Sequence, residues 1–204
     1  AKPRASAAAS ALGRPRLAIA LSGGGDSTAL LLALRATYPD LDQCALIVDH
    51  RLRRQSTAEA NAAAHAAEAV GTRARILTWA APRPGQARAR AARHRLLAQA
   101  ARAEGASVLC LGHTWDDRVE TLRMRAARTG SESRMAGPGR LDPAPIWPEG
   151  RGLVLARPLL DLRRDALRAY LQASGADWIE DPSNEDRAYE RVRLRQSPLS
   201  LSDA

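Results

Sequence analysis

Leu17-Ala18-Ile19-Ala20-Leu21-Ser22-Gly23-Gly24-Gly25-Asp26-Ser27 sets the architecture of the chain. The five residues up to Leu21 form an unbroken apolar run, the pattern of a strand buried on both faces. Three glycines interrupt it, and from Asp26 to about Ala36 the pattern is helical. Strand, glycine loop and helix in that order build an anion cradle. The glycines let consecutive backbone N–H groups turn toward one point, and the helix adds the positive end of its dipole. Ser22 and Ser27 can donate hydroxyls to the same anion. Asp26 would repel a phosphate unless a Mg²⁺ ion sat between them, so the loop implies a metal held by Asp26.

The same alternation continues outward. Gln43 to Val48 reads as a second buried strand, and Ser56 with Glu59 has the spacing of a capping box opening an Ala-rich helix that stops at Gly71. Arg73 to Thr78 is expected as a third strand, Gln86 to Glu104 as a helix, Ser107 to Leu111 as a fourth strand and Asp116 to about Thr129 as a helix. The fold class is therefore α/β, a doubly wound parallel sheet with helices on both faces and ligand chemistry at the carboxyl ends of the strands. Ser22 to Ser27, Asp49 to Arg54 and His113 to Asp117 each follow a strand directly, which gives the polar clusters one shared address.

Gly130 to Gly152 lacks periodicity and reads as a long mobile loop. Leu153 to Ala156 reads as a last strand, and Asp161 as the cap of a helix running to about Ser174. The expected organisation is a disordered leader over 1–16, the nucleotide domain over 17–160, a small C-terminal helical appendage over 161–196 and a tail over 197–204.

Composition narrows the chemistry. Of 31 Lys and Arg residues only Lys2 is lysine, which excludes a Walker A loop and an enzyme that carries AMP on its own lysine. The formal charge of +9 favours a polyanionic partner, although Arg-rich codon usage gives the same balance. Cys44 and Cys110 lie in apolar runs without CxxC spacing, which argues against a disulfide framework or a zinc site. No apolar run approaches the roughly 18 residues that cross a bilayer, so no membrane role is expected and a reducing cytoplasm fits.

Residues 22 to 27 match in full the Ser-Gly-Gly-X-Asp-Ser signature of the N-type ATP pyrophosphatases, and further motifs resemble one branch, the tRNA(Ile)-lysidine synthases. Val48-Asp49-His50-Arg51-Leu52-Arg53 is similar to that branch's Val-Asp-His-X-Leu-Arg. Ala87 to His94 resembles its Ala-Ala-Ala-Arg-X-X-Arg-Tyr, and His113 to Thr121 its His-X-X-Asp-Asp-Gln-X-Glu-Thr. Glu180-Asp181-Pro182-Ser183-Asn184 with Arg191 and Arg195 resembles its terminal motif.

The resemblance implies that ATP and Mg²⁺ bind at Ser22, Gly23, Gly24, Gly25, Asp26 and Ser27, with Asp49, His50 and His113 beside the nucleotide and Arg90 in contact with nucleotide or base. It implies that Asp117 fixes free L-lysine. Asp116 and Glu120 add carboxylates one helical turn apart, able to face an ammonium group or a metal. Arg191 and Arg195 are assigned to substrate. The implied partner is tRNA(Ile) with anticodon CAU, activated at cytidine 34 as an adenylate, and a homodimer is left open. Arg93 is expected mainly as a stem packed on the core. The family's Gly-rich stretch is degenerate at Thr129 to Gly137, Val192 replaces its Asn and His94 its Tyr. Two rivals stay open. A thiolating relative would need an exposed reactive Cys or an iron–sulfur cluster, and a non-catalytic RNA-binding module would bind RNA without releasing pyrophosphate.

Overall fold

The computed structural model describes residues 16–82, 85–129 and 137–180. Among the described residues, six strands form one sheet in the order β3-β2-β1-β4-β6-β5. They are β1 (Arg16–Ala20), β2 (Asp42–Asp49), β3 (Arg73–Thr78), β4 (Val108–Cys110), β5 (Leu141–Pro143) and β6 (Val154–Ala156). The helices are α1 (Gly25–Thr37), α2 (Ser56–Ala69), α3 (Gln86–Ala103), α4 (Trp115–Thr129) and α5 (Arg164–Ala173). β1 pairs in parallel with both β2 and β4, β2 with β3 and β4 with β6. Strand order reverses between β1 and β4, where the loops leaving the two strands diverge and open a crevice.

Side-chain alternation along the central strands divides the core into two layers. Ile19, Ala45 and Ile47 face Leu30 and Leu31 of α1, the Ala60, Ala63 and Ala67 stripe of α2, and Leu167 and Leu171 of α5. Ala18, Cys44, Leu46 and Leu109 face the other way, toward Leu97, Ala98 and Ala101 of α3. Small alanines on α2 let that helix sit close on the sheet. Helices therefore cover both faces, as the continuous apolar strands require.

Four local features differ from expectation. Leu141–Pro143, inside the segment expected as a loop, pairs antiparallel with β6; three residues ending in proline carry no strand signal of their own. Residues 130–136 of that segment lie outside the described residues, as do Asp181-Pro182-Ser183-Asn184, Arg191 and Arg195. Ser56 does not close a capping box, because its hydroxyl bonds to the Asp49 carboxylate instead. Asp161 does not cap α5 but pairs with Arg140, and the Arg164 N–H at the start of α5 is accepted by Asp116 Oδ2 at 2.9 Å. Finally, Leu167 and Leu171 belong to the same core as Leu30 and Leu31, so α5 packs as part of the main layer.

Candidate active site

The Ser22–Ser27 loop leaves β1 and turns into α1 at the crevice between β1 and β4. Gly23 adopts φ +83°, and a Cβ there would lie 2.6 Å from Ile179 Cδ1, so both backbone angle and space require glycine. The Ile179 N–H donates to the Gly23 carbonyl at 2.9 Å, fastening the loop from behind. The Ser27 hydroxyl donates to the Gly24 carbonyl at 2.9 Å and accepts the Ser22 N–H at 3.1 Å. These bonds hold both serine hydroxyls at the mouth of the loop, 3.0 Å apart.

The loop lines a cleft of about 690 Å³ together with His50, Arg53, Ser56 and Glu59 from the β2–α2 side. Arg93, His94 and Leu97 of α3, and Gly112 and His113 after β4, complete it. Gly112 is confined, since a Cβ there would come within 3.0 Å of the Asp26 carbonyl oxygen. Arg93, expected as a packed stem, lines this cleft, whereas Arg90 is exposed on α3. Burial, with the charges of Arg93 and Arg90, pushes His94 down to about 4. Burial likewise lowers His50, whose Nδ1 is enclosed without a hydrogen-bond partner among the described residues.

Asp49 has a different place. Its side chain is buried and accepts the hydroxyls of Ser56 and Thr57 and the Arg51 N–H at 3.0 Å. These bonds hold its carboxyl below the usual range against the opposing effect of burial. Arg51 takes φ +51° in the same turn. Asp49 thus organises the turn that presents His50 and lies outside the cleft lining.

A cluster of carboxylates adjoins the loop, and a cation sits in it. The Arg164 guanidinium donates to Asp26 Oδ2 at 3.0 Å, Asp117 Oδ1 at 2.7 Å and Glu120 Oε1 at 3.2 Å. Burial opposes the charge of Arg164, but the three acids hold it firmly protonated. Burial also opposes ionisation of Asp117, yet Arg164 and the Thr114 N–H keep its carboxyl low. Asp26 goes the other way: burial raises it despite Arg164, so its negative charge is incompletely compensated. Asp117 and Glu120, one helical turn apart on α4, therefore meet Asp26 through Arg164, a convergence with Asp26 that spacing did not announce, whereas Asp116 turns away to α5. Arg164 carried no sequence signal, because these partners lie 138, 47 and 44 residues away.

A family model described as the PP-loop domain matches residues 2–200. The chain belongs to the PP-loop family. Its PP-loop sequence is similar to the tRNA(Ile)-lysidine synthase of Caulobacter vibrioides, 47% identical over 89% of this chain and 45% of that protein. It is also similar to those of Hyphomonas neptunium, 42% identical over 87% of this chain and 49% of that protein, and Mesorhizobium japonicum, 44% identical over 86% and 40%. The chain spans less than half the length of these curated relatives. In structure it resembles a U34-tRNA thiolase of Methanococcus maripaludis, with a TM-score of 0.69 and 17% identity over 92% of this chain and 75% of that chain; the likeness shows a shared fold. The cysteines of this PP-loop domain are both buried, and burial pushes the Cys110 thiol up to about 12. Among the described residues, no helix is long and apolar enough to cross a membrane.

Proposed function

We propose that this chain carries the catalytic chemistry of a tRNA(Ile)-lysidine synthase. The observation that carries the reading is the Arg164 guanidinium seated among Asp26, Asp117 and Glu120 beside the phosphate loop. A carboxylate cluster that holds a cationic nitrogen group next to an anion cradle suits an amine nucleophile attacking a phosphate-activated centre. The similarity to curated lysidine synthases supports the same choice.

In this reading the phosphates of ATP lie over Gly24, Gly25 and the Ser22 and Ser27 hydroxyls. The C2 carbonyl oxygen of cytidine 34, in a tRNA(Ile) with anticodon CAU, attacks the α-phosphorus. The bond to the bridging oxygen of the β-phosphate breaks and pyrophosphate leaves. The deprotonated ε-amine of free L-lysine then attacks C2, AMP departs with the bonding electrons, and the amine proton passes to solvent. Asp117 and Glu120 orient the lysine, while Arg90, Arg191 and Arg195 serve nucleotide or tRNA. Asp26 would hold Mg²⁺, since one carboxylate plus phosphate oxygens is a usual donor set for this ion and its charge is undercompensated. When bound, the metal supplies charge neutralisation to the leaving pyrophosphate. A cytoplasmic location follows from a tRNA substrate.

Pyrophosphate and AMP release are measured with and without the CAU tRNA and lysine, and the product nucleoside is weighed by mass spectrometry. Pyrophosphate release that needs tRNA, with lysine incorporated at cytidine 34, is the expected result. Sulfur incorporation, or RNA binding without pyrophosphate release, would overturn it.

A further inference from the structure

Arg157 leaves β6 at the point where His113 follows β4, and it is buried, with 8% of its surface exposed. Its Nε donates to His113 Nδ1 at 3.0 Å. Its Nη1 donates to the Gly139 carbonyl at 2.7 Å and to the Asp142 carboxylate. Asp142 in turn accepts the Gly139 N–H at 3.1 Å, so the guanidinium is held from two sides and its Nε faces the imidazole.

A guanidinium has no lone pair to offer and stays protonated. The ring nitrogen facing it must therefore be the acceptor, and in a neutral imidazole the single proton then sits on the other nitrogen. His113 lines the cleft with Ser22, Ser27 and Gly112, and among the described residues its Nε2 makes no hydrogen bond.

We propose that Arg157 is a positioning residue that locks His113 in the neutral Nε2–H tautomer, making it a fixed hydrogen-bond donor to a phosphate oxygen of the nucleotide. In that state His113 cannot act as a general base, because one nitrogen is engaged and the other already carries the proton. Burial, outweighing the Asp117 carboxylate, agrees by pushing the imidazole down to about 4. A charged ring would set two like charges together at Arg157.

The phosphate assignment rests on the proposed ATP chemistry, whereas the tautomer does not, so the test has two arms. Imidazole ¹⁵N spectra of the chain at neutral pH should show His113 neutral and protonated at Nε2, with a mixture of tautomers in Arg157→Met and the wild-type pattern kept in Arg157→Lys. A wild-type His113 protonated at Nδ1, or at both nitrogens, overturns the lock whatever the enzyme does. In the second arm Mg²⁺–ATP is titrated into wild type and the His113 Nε2 signal followed. A shift that also appears with inorganic pyrophosphate supports the phosphate contact, and KM for ATP should rise about tenfold in Arg157→Met with recovery in Arg157→Lys. A correct tautomer whose signal ignores both probes overturns the phosphate contact alone. Nucleotide binding with the expected shift but no tRNA-dependent pyrophosphate release would sink the proposed reaction and leave the lock standing.

Discussion

At the scale of single residues, the carboxylate cluster that meets the cleft at Asp26 decides which cation is held beside the phosphate loop. Asp117 is expected to seat the lysine ammonium, and charge-assisted hydrogen bonds of that kind contribute roughly 1.5 to 3 kcal/mol. Asp117→Ala should weaken lysine binding about tenfold or more while tRNA adenylation persists; loss of adenylation with unchanged lysine affinity would make Asp117 a nucleotide ligand instead. Arg164 occupies the same carboxylates, so guanidinium and substrate amine compete for them. Arg164→Met leaves Asp26, Asp117 and Glu120 facing one another and should lower stability by about 2 to 3 kcal/mol, toward the lower end for a partly exposed cluster. Millimolar lysine should then restore melting temperature in the variant more than in wild type. Equal shifts in both proteins would show that lysine does not enter this cluster.

At the scale of elements, close packing between loops sets the cradle. Gly112 after β4 touches the backbone of Asp26 and Ser27, with 3.0 Å and 3.1 Å left for a Cβ. Gly112→Ala should therefore push the start of α1 out of place and raise KM for ATP. Gly105→Ala is the control: its φ of +71° is strained but its surroundings are open, so it should cost about 1 kcal/mol and leave KM unchanged. A parallel rise in KM for both would deny the packing argument. The strands from Leu17 to Leu111 and the Ser22–Ser27 loop were legible because their signals are local: apolar runs, glycines and the strand ends that gather the polar groups. Leu141–Pro143 was not, since its pairing with β6 carries no local mark. The capping box failed because the Asp49 carboxylate outcompetes the helix for the Ser56 hydroxyl. Arg157 and Arg164 act on residues across the fold, and no spacing rule reaches that far.

At the scale of the whole molecule, buried imidazoles link stability to pH. The His94 value falls from an unfolded 6.5 to about 4, so the unfolded chain binds the extra proton first as acid is added. Its contribution is full above pH 6.5 and is lost as pH falls through about 4. Asp26, whose value is raised, works in the opposite sense, and comparing variants isolates the histidine. The fall in melting temperature from pH 7 to pH 5 should be shallower in His94→Gln; equal slopes would count against a neutral buried ring. The excess of arginine should make tRNA affinity drop steeply between low and moderate salt, and a flat response would assign the charge to codon usage. Strand pairing at the sheet's outer border has a further consequence. Arg157 N–H bonds to the Arg140 carbonyl and Ala144 N–H to the Leu153 carbonyl, so the backbone groups of Leu141 and Pro143 turn outward. Proline offers no N–H there, and the opposite border carries Arg73 and Arg75 on β3. Among the described residues, a second copy finds one outward amide hydrogen on the β5 rim and paired charges on the β3 rim, so neither of these rims invites growth into a continuous intermolecular sheet. A homodimer is expected to use helices or loops in preference to these two strand edges, and the described rims should resist the ordered stacking that bare strand edges seed.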